Sequence, residues 1–246
     1  MATKFFPEDG WYRCEKFDQV VFLRGATKES RVRPGHYHQD LGHFSLYRAG
    51  TSILVDGGRK HYLGDEWGNF GVFPEAHNTI TVDNYGLSPR RPQRFPPNYS
   101  RFTHDITVEE GSEVLRIDIH SSGFRRIQKE ITWNRTIMIF KNSFEVKDVI
   151  EGVDERLIQT FFHFSESLEL MSQRTERFHF FNPIVSGVFD CVLPKGYLLQ
   201  RYRGGESPIG WQAVSYGKAV PATTIVCAGS VYLPVECKYT ITWSLS

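Results

Sequence analysis

His36, His38 and Asp40 stand at alternate positions in GHYHQDLGHFSLYRAGTSILVDGG (35–58), a stretch that ends on Asp56-Gly57-Gly58. On an extended chain residues i, i+2 and i+4 share a face, so these two imidazoles and one carboxylate are expected to point the same way. Imidazole titrates near neutral pH and is a common metal ligand. HFSLYRAGTSILVDGG reads as two strands around Ala49-Gly50, a hairpin that carries Asp56 back beside His38. The pattern fits a metal site, an acid/base site, both, or a polar strand end at which Asp56 caps the turn before two glycines. A second group follows in FPEAHNTITVDNYG (73–86), where His77-Asn78 directly precedes an alternating strand that ends at Asp83 and Asn84.

Strands must position these groups, and the rest of the chain supplies them. The 246 residues include 19 Phe, 11 Tyr and 5 Trp, types that favour pleated, half-buried surfaces. Strands are expected at 113–119, 125–133, 135–140, 143–150, 156–164, 186–193, 196–202, 210–216, 223–228 and 238–245, with turns at KNS (141–143) and EGVDE (151–155) between the central ones. Neither a long helical period nor an internal repeat is present. The expected fold is a single all-β domain over 1–246, a large two-sheet antiparallel β-sandwich. A net charge of +1 gives no argument for nucleic acid or a membrane surface, and no apolar run is long enough to cross a bilayer. The opening MATKFFPEDGWYR lacks the apolar core of a signal peptide, and the compartment stays unread. Cys14, Cys191, Cys227 and Cys237 are scattered and read as buried or half-buried thiols.

HYHQDLGHFSLYRAGTSILVDGG followed by AHNTITVDN resembles the C-terminal β-sandwich domain of heparinase II/III-like polysaccharide lyases, a family related to heparinases and oligoalginate lyases. RLIQTFFHFSES (156–167) resembles the family's His-Phe stretch on a back strand. The resemblance spans essentially the whole chain, with its strongest motifs between Gly35 and Asp83. It implies a lyase domain acting by β-elimination on uronate-containing acidic polysaccharides, such as alginate or glycosaminoglycans. It implies His36 as the catalytic residue that neutralises or orients the uronate, and His38, Asp56 and His77 as ligands of a structural zinc. Two imidazoles, one carboxylate and a water suit zinc in ligand softness and number. In the family an N-terminal helical toroid supplies the acid/base Tyr and further carboxylate-neutralising groups, and relatives are often periplasmic or secreted. No counterpart of the toroid is read here. The expectation is therefore a domain inactive without a helical partner, in cis or from another chain. The alternative is a non-catalytic module that binds acidic glycan.

Other residues complete the reading. Tyr62 and Tyr85, in loops after the two motifs, are placed to line a cleft, or pack as ordinary loop aromatics. Arg90, Arg91 and Arg94 lie in the Pro-rich loop GLSPRRPQRFPPNYSR (86–101) and can grip carboxylate or sulfate, or carry incidental solvated charge. His43 and His163 read as structural.

Overall fold

Apolar residues recur at every second position through most of this chain, and the result is strand after strand. The structure is a computed structural model that describes residues 3–6, 10–25, 38–89, 104–174 and 176–244. Its first strands are β1 (Lys4–Phe6), β2 (Trp11–Lys16), β3 (Gln19–Arg24), β4 (Phe44–Arg48) and β5 (Thr51–Leu54), which form a five-stranded sheet in chain order. A short helix α1 (Glu66–Phe70) and β6 (Ile80–Val82) follow. Next come β7 (His104–Glu110), β8 (Leu115–Ser121), β9 (Thr132–Ile139), β10 (Ser143–Glu151), β11 (Glu155–His163), β12 (Glu169–Arg174) and β13 (Arg177–Phe181). The chain ends with β14 (Ser186–Val192), β15 (Leu198–Arg203), β16 (Trp211–Ser215), β17 (Lys218–Pro221), β18 (Thr223–Tyr232) and β19 (Val235–Trp243).

One layer is an eight-stranded sheet in the order β12-β13-β14-β19-β10-β9-β8-β7. Facing it are the five-stranded sheet and a four-stranded sheet, β15-β18-β11-β6, joined by a bridge between Leu54 and Phe164. The inner faces meet through aromatic pairs. Phe44 on β4 packs on Phe144 of β10 (5.5 Å between ring centroids), and Phe162 on β11 packs on Phe189 and Tyr239 (5.1 and 4.5 Å). The all-β sandwich is as expected, with its second layer divided into two sheets. A small hairpin, β16-β17, stands apart from both layers.

Two local expectations are corrected. Residues 125–133 were expected as one strand, yet a 3-10 turn covers Gly123–Arg126 and β9 begins only at Thr132. Phe124 and Ile131 are buried, and Ile127 N–H donates to Phe124 O at 2.8 Å, so local hydrogen bonds satisfy the backbone that a strand would have paired. Likewise His38 and Asp40 lie in a loop, not a strand, because the chain turns over residues 40–43 to enter β4. His43 N–H donates to Asp40 O at 2.9 Å to close that turn.

Candidate metal and glycan site

Three loops meet at one end of the layers: residues 38–43 entering β4, residues 55–58 leaving β5, and residues 77–79 running from a 3-10 turn (Pro74–Ala76) into β6. The β4–β5 hairpin turns on Ala49 (φ 48°) and Gly50 (φ 76°), the left-handed pair a tight two-residue turn requires. It returns Asp56 to the loop bearing His38 and His43, as the hairpin reading expects. Gly57 lets the second and third loops touch: a Cβ there would stand 2.8 Å from the Ala76 carbonyl oxygen, to which Gly57 N–H donates at 2.9 Å. Gly58, at φ 75°, donates its N–H to Asp56 Oδ1 at 2.7 Å and so fixes the carboxylate.

Asn78 ties the loops together. Its side-chain amide donates to Phe44 O (2.8 Å) and Val55 O (2.9 Å), while its Oδ1 accepts from His163 N–H (2.7 Å). Its backbone N–H donates to His43 Nδ1 at 2.9 Å, and its backbone carbonyl accepts from Arg135 Nη1 at 2.8 Å. The same Nη1 holds Gly42 O at 2.9 Å. Arg135 is wholly buried and paired in a two-pronged grip with Asp148, at 2.8 Å for each prong, and Trp133 Nε1 adds a 3.0 Å bond to Asp148 Oδ1. An ion pair in the eight-stranded sheet thus anchors two loops of the site.

The electrostatics centre on Asp56. Its Oδ2 lies 2.8 Å from His77 Nδ1 and 3.6 Å from His43 Nε2. His77 has no exposed surface, whereas 39% of the Asp56 side chain is exposed. Burial opposes a charge on His77, but the facing carboxylate outweighs it and raises the imidazole above its ordinary value. For Asp56 the cost of partial burial is outweighed by the charge and hydrogen bond of His77, which hold the carboxyl well below the usual range. Burial drives His43 the other way, down to about 3. A backbone N–H can only donate, so the bond from Asn78 makes His43 Nδ1 an acceptor. The proton of the neutral ring then sits on Nε2, facing Ser45 Oγ (3.1 Å) and Asp56. His38 stacks on His77 with ring centroids 5.5 Å apart, and burial, reinforced by the charge of His77, lowers it.

The donors suit zinc on two observations. Among the described residues His43, Asp56 and His77 place donor atoms within 4.8 Å of one another, and His77 Nε2 is buried without a hydrogen-bond partner. His43, with its proton on Nε2, serves better as a donor to the carboxylate than as a ligand, the outer support a metal site requires. His38, beside His77, remains the second imidazole of the expected set.

The other expected residues fall in different places. Tyr62 is near the site: the Arg59 guanidinium lies 4.3 Å from its ring centroid, and the charge of Arg59 reaches His38. Tyr85 is 55% exposed at the far end of β6 from His77, where Arg126 lies 5.5 Å over its ring. His36, Arg90, Arg91 and Arg94 lie outside the described residues. His163 is a satisfied core histidine: its Nε2 meets Glu75 O at 3.0 Å, its Nδ1 meets Thr224 Oγ1 at 3.1 Å, and burial lowers it to about 4. Sequence reasoning passed over Arg135 and Asp148, although a signal was present. Each is in phase with the apolar face of its strand, Arg135 with Ile137 and Ile139, and Asp148 with Val146 and Ile150, and the register sets them opposite each other.

A family model described as heparinase II/III-like, C-terminal, matches residues 2–243. Among solved structures, the heparan sulfate lyase of Pedobacter heparinus is similar at a TM-score of 0.76 and 15% identity, covering 100% of this chain and 37% of that one. A heparinase III gene product is similar at a TM-score of 0.75 and 16% identity, over 98% of this chain and 36% of its own. A chondroitin AC lyase of Streptomyces coelicolor A3, solved with chondroitin sulphate, is similar at 0.56 and 10%, over 100% and 33%. At such identities the likeness is one of fold, and the chain spans about a third of the length of these enzymes. No curated protein sequence matches it.

Proposed function

The chain belongs to the heparinase II/III-like C-terminal family, and from that membership we propose that it is the sandwich domain of a polysaccharide lyase that cleaves uronate-containing acidic glycans by β-elimination. That reaction removes the proton next to the uronate carboxylate and protonates the leaving glycosidic oxygen, after something positive or hydrogen-bonding has neutralised the carboxylate. In this reading His36 is the catalytic residue that meets the carboxylate. His38, Asp56 and His77 hold a zinc, whose contribution is to cross-link three loops and not to take part in the elimination. Tyr62, Tyr85, Arg90, Arg91 and Arg94 contact the glycan. A helical domain, in cis or from another chain, supplies the remaining acid/base groups. The observation that carries the reading is the Asp56–His77 ion pair with His38 stacked on it, open to solvent through Asp56 and lying in a chain of this family.

Activity is the test. Each positioned acid, base or charge typically contributes about 10²-fold or more, and in this reading the chain supplies one such group, His36, beside a metal of structural role. The purified chain is expected to give no appreciable rise in the ultraviolet absorbance of unsaturated uronate ends from heparan sulfate, chondroitin sulfate or alginate. Adding the helical region of a family lyase is expected to bring activity that His36→Ala abolishes. Robust turnover by the chain alone, lost in His36→Ala, overturns the two-part reading. Binding of acidic glycan with no turnover in any combination favours the non-catalytic module.

A further inference from the structure

Beside the His/Asp cluster lies a surface that carries exposed aromatic rings and cations. Residues 59–65 connect Gly58 to α1, and the β16–β17 hairpin folds across them. Ala213 N–H donates to Gly57 O at 2.8 Å, and Gly217 N–H, at the hairpin tip, donates to Lys60 O at 2.7 Å. The docking brings Tyr62 and Tyr216 together, with ring centroids 6.1 Å apart and planes 25° from parallel. Both stay open to solvent, 60% and 72% exposed. Trp67 of α1 and Trp211 of β16 pack edge to face at 5.5 Å beside them. Arg59 lies 4.3 Å from the Tyr62 ring centroid and Lys60 lies 4.2 Å from that of Trp67. The acidic neighbour Asp65 is already engaged, by His61 at 3.6 Å and by the Gly68 N–H at 2.8 Å. Neither Arg59 nor Lys60 forms an ion pair with a carboxylate among the described residues.

Two exposed, near-parallel phenol rings match one kind of ligand well. A pyranose has an apolar C–H face that a ring face can cover, and hydroxyls that a phenol can reach. Two cations with no carboxylate partner among the described residues add a preference for a sugar that carries a carboxylate or sulfate. We propose that Tyr62, Tyr216, Arg59 and Lys60 form a subsite for an acidic sugar unit of the glycan chain, beside the His/Asp cluster. The subsite rests on the acidic-glycan reading and extends it to the β16–β17 hairpin, which no motif in the sequence singles out. The hairpin is then a specificity element, and Tyr216 its contact residue.

The experiment is calorimetric titration of the purified chain with a heparan sulfate octasaccharide, and with a neutral maltooctaose as control. The wild-type chain is expected to bind the acidic octasaccharide and to discriminate against the neutral one. Tyr216→Ala combined with Lys60→Gln is expected to weaken acidic binding by about tenfold or more, the scale of a lost contact to a charged group. Both positions are on loop or turn, and thermal melting checks that the variant stays folded. Tyr232→Ala is the control, an aromatic 74% exposed at the opposite end of β18 from the site, and is expected to change nothing. Wild-type binding that the Tyr216/Lys60 variant leaves intact overturns the subsite while the acidic-glycan reading stands. Equal binding of the neutral sugar also overturns it. No binding of the acidic octasaccharide by the wild-type chain overturns the reading and the subsite together.

Discussion

Arg135 is a cation shielded from water on every side, and its worth to the protein lies in what it holds. Its guanidinium grips Asp148 and also takes the carbonyl oxygens of Gly42 and Asn78, one from each of two loops of the site. Breaking a buried pair from one side strands the other charge, at a cost of about 3–5 kcal/mol, whereas replacing both partners with apolar residues can be nearly neutral. Arg135→Met is therefore expected to lower the unfolding free energy by about that amount, and Arg135→Met with Asp148→Leu to recover most of it in urea denaturation. A double variant as unstable as the single one would show that the loop carbonyls, not the stranded carboxylate, set the cost. At this scale the sequence made some of the site legible and hid the rest. Spacing grouped His36, His38 and Asp40 and the hairpin returned Asp56 toward them, because hairpin geometry follows from local residue types, whereas the set His38, Asp56 and His77 came from the family resemblance. His43 was set aside as structural, and the structure places it 3.6 Å from Asp56, since no local rule says which of two nearby histidines turns inward.

Among the elements, the β4–β5 hairpin was the most legible, since Ala49-Gly50 between two apolar runs leaves few other solutions. Its turn is nevertheless imperfect. Ala49 is exposed and held at φ 48°, a region an alanine enters reluctantly and an asparagine tolerates. Ala49→Asn is expected to stabilise the protein by about 0.5–1 kcal/mol, read as a higher midpoint in thermal or denaturant unfolding. A lower midpoint would mean that the backbone bond from Ala49 N–H to Asp18 O (2.9 Å) is disturbed. Residues 125–133 were less legible. Ile127 and Ile131 suit a strand on pattern alone, but the buried Phe124 pulls its neighbours into a turn, and only the packed layers reveal that contest.

For the whole molecule, metal is the sharpest question, because a bound ion would join loops from different sheets. Protein purified without chelator is expected to carry about one zinc per chain by elemental analysis. Stripping the metal is expected to lower the melting temperature, since a ligand at a hundredfold excess over its Kd adds about 2.7 kcal/mol to the folded state. His38→Ala and His77→Ala should each lose the metal, while His43→Gln should keep it with weaker affinity. Retention of zinc by His38→Ala, with loss in His43→Gln, would exchange those two roles, and a chain without zinc would remove the metal from the proposal. The tie at Asn78 bears on a different matter, the order of events when the chain is made. Its side chain joins Phe44 and Val55 to His163, and the last of these bonds spans 85 positions of sequence. Arg135 reaches the same residue across 57. Contacts between such distant partners form only after a large loop has closed, which is the slow part of folding a β protein. A ribosome must therefore release most of the chain before the three loops can be locked together. Until β11 is in place, the tie at Asn78 lacks its partner in His163.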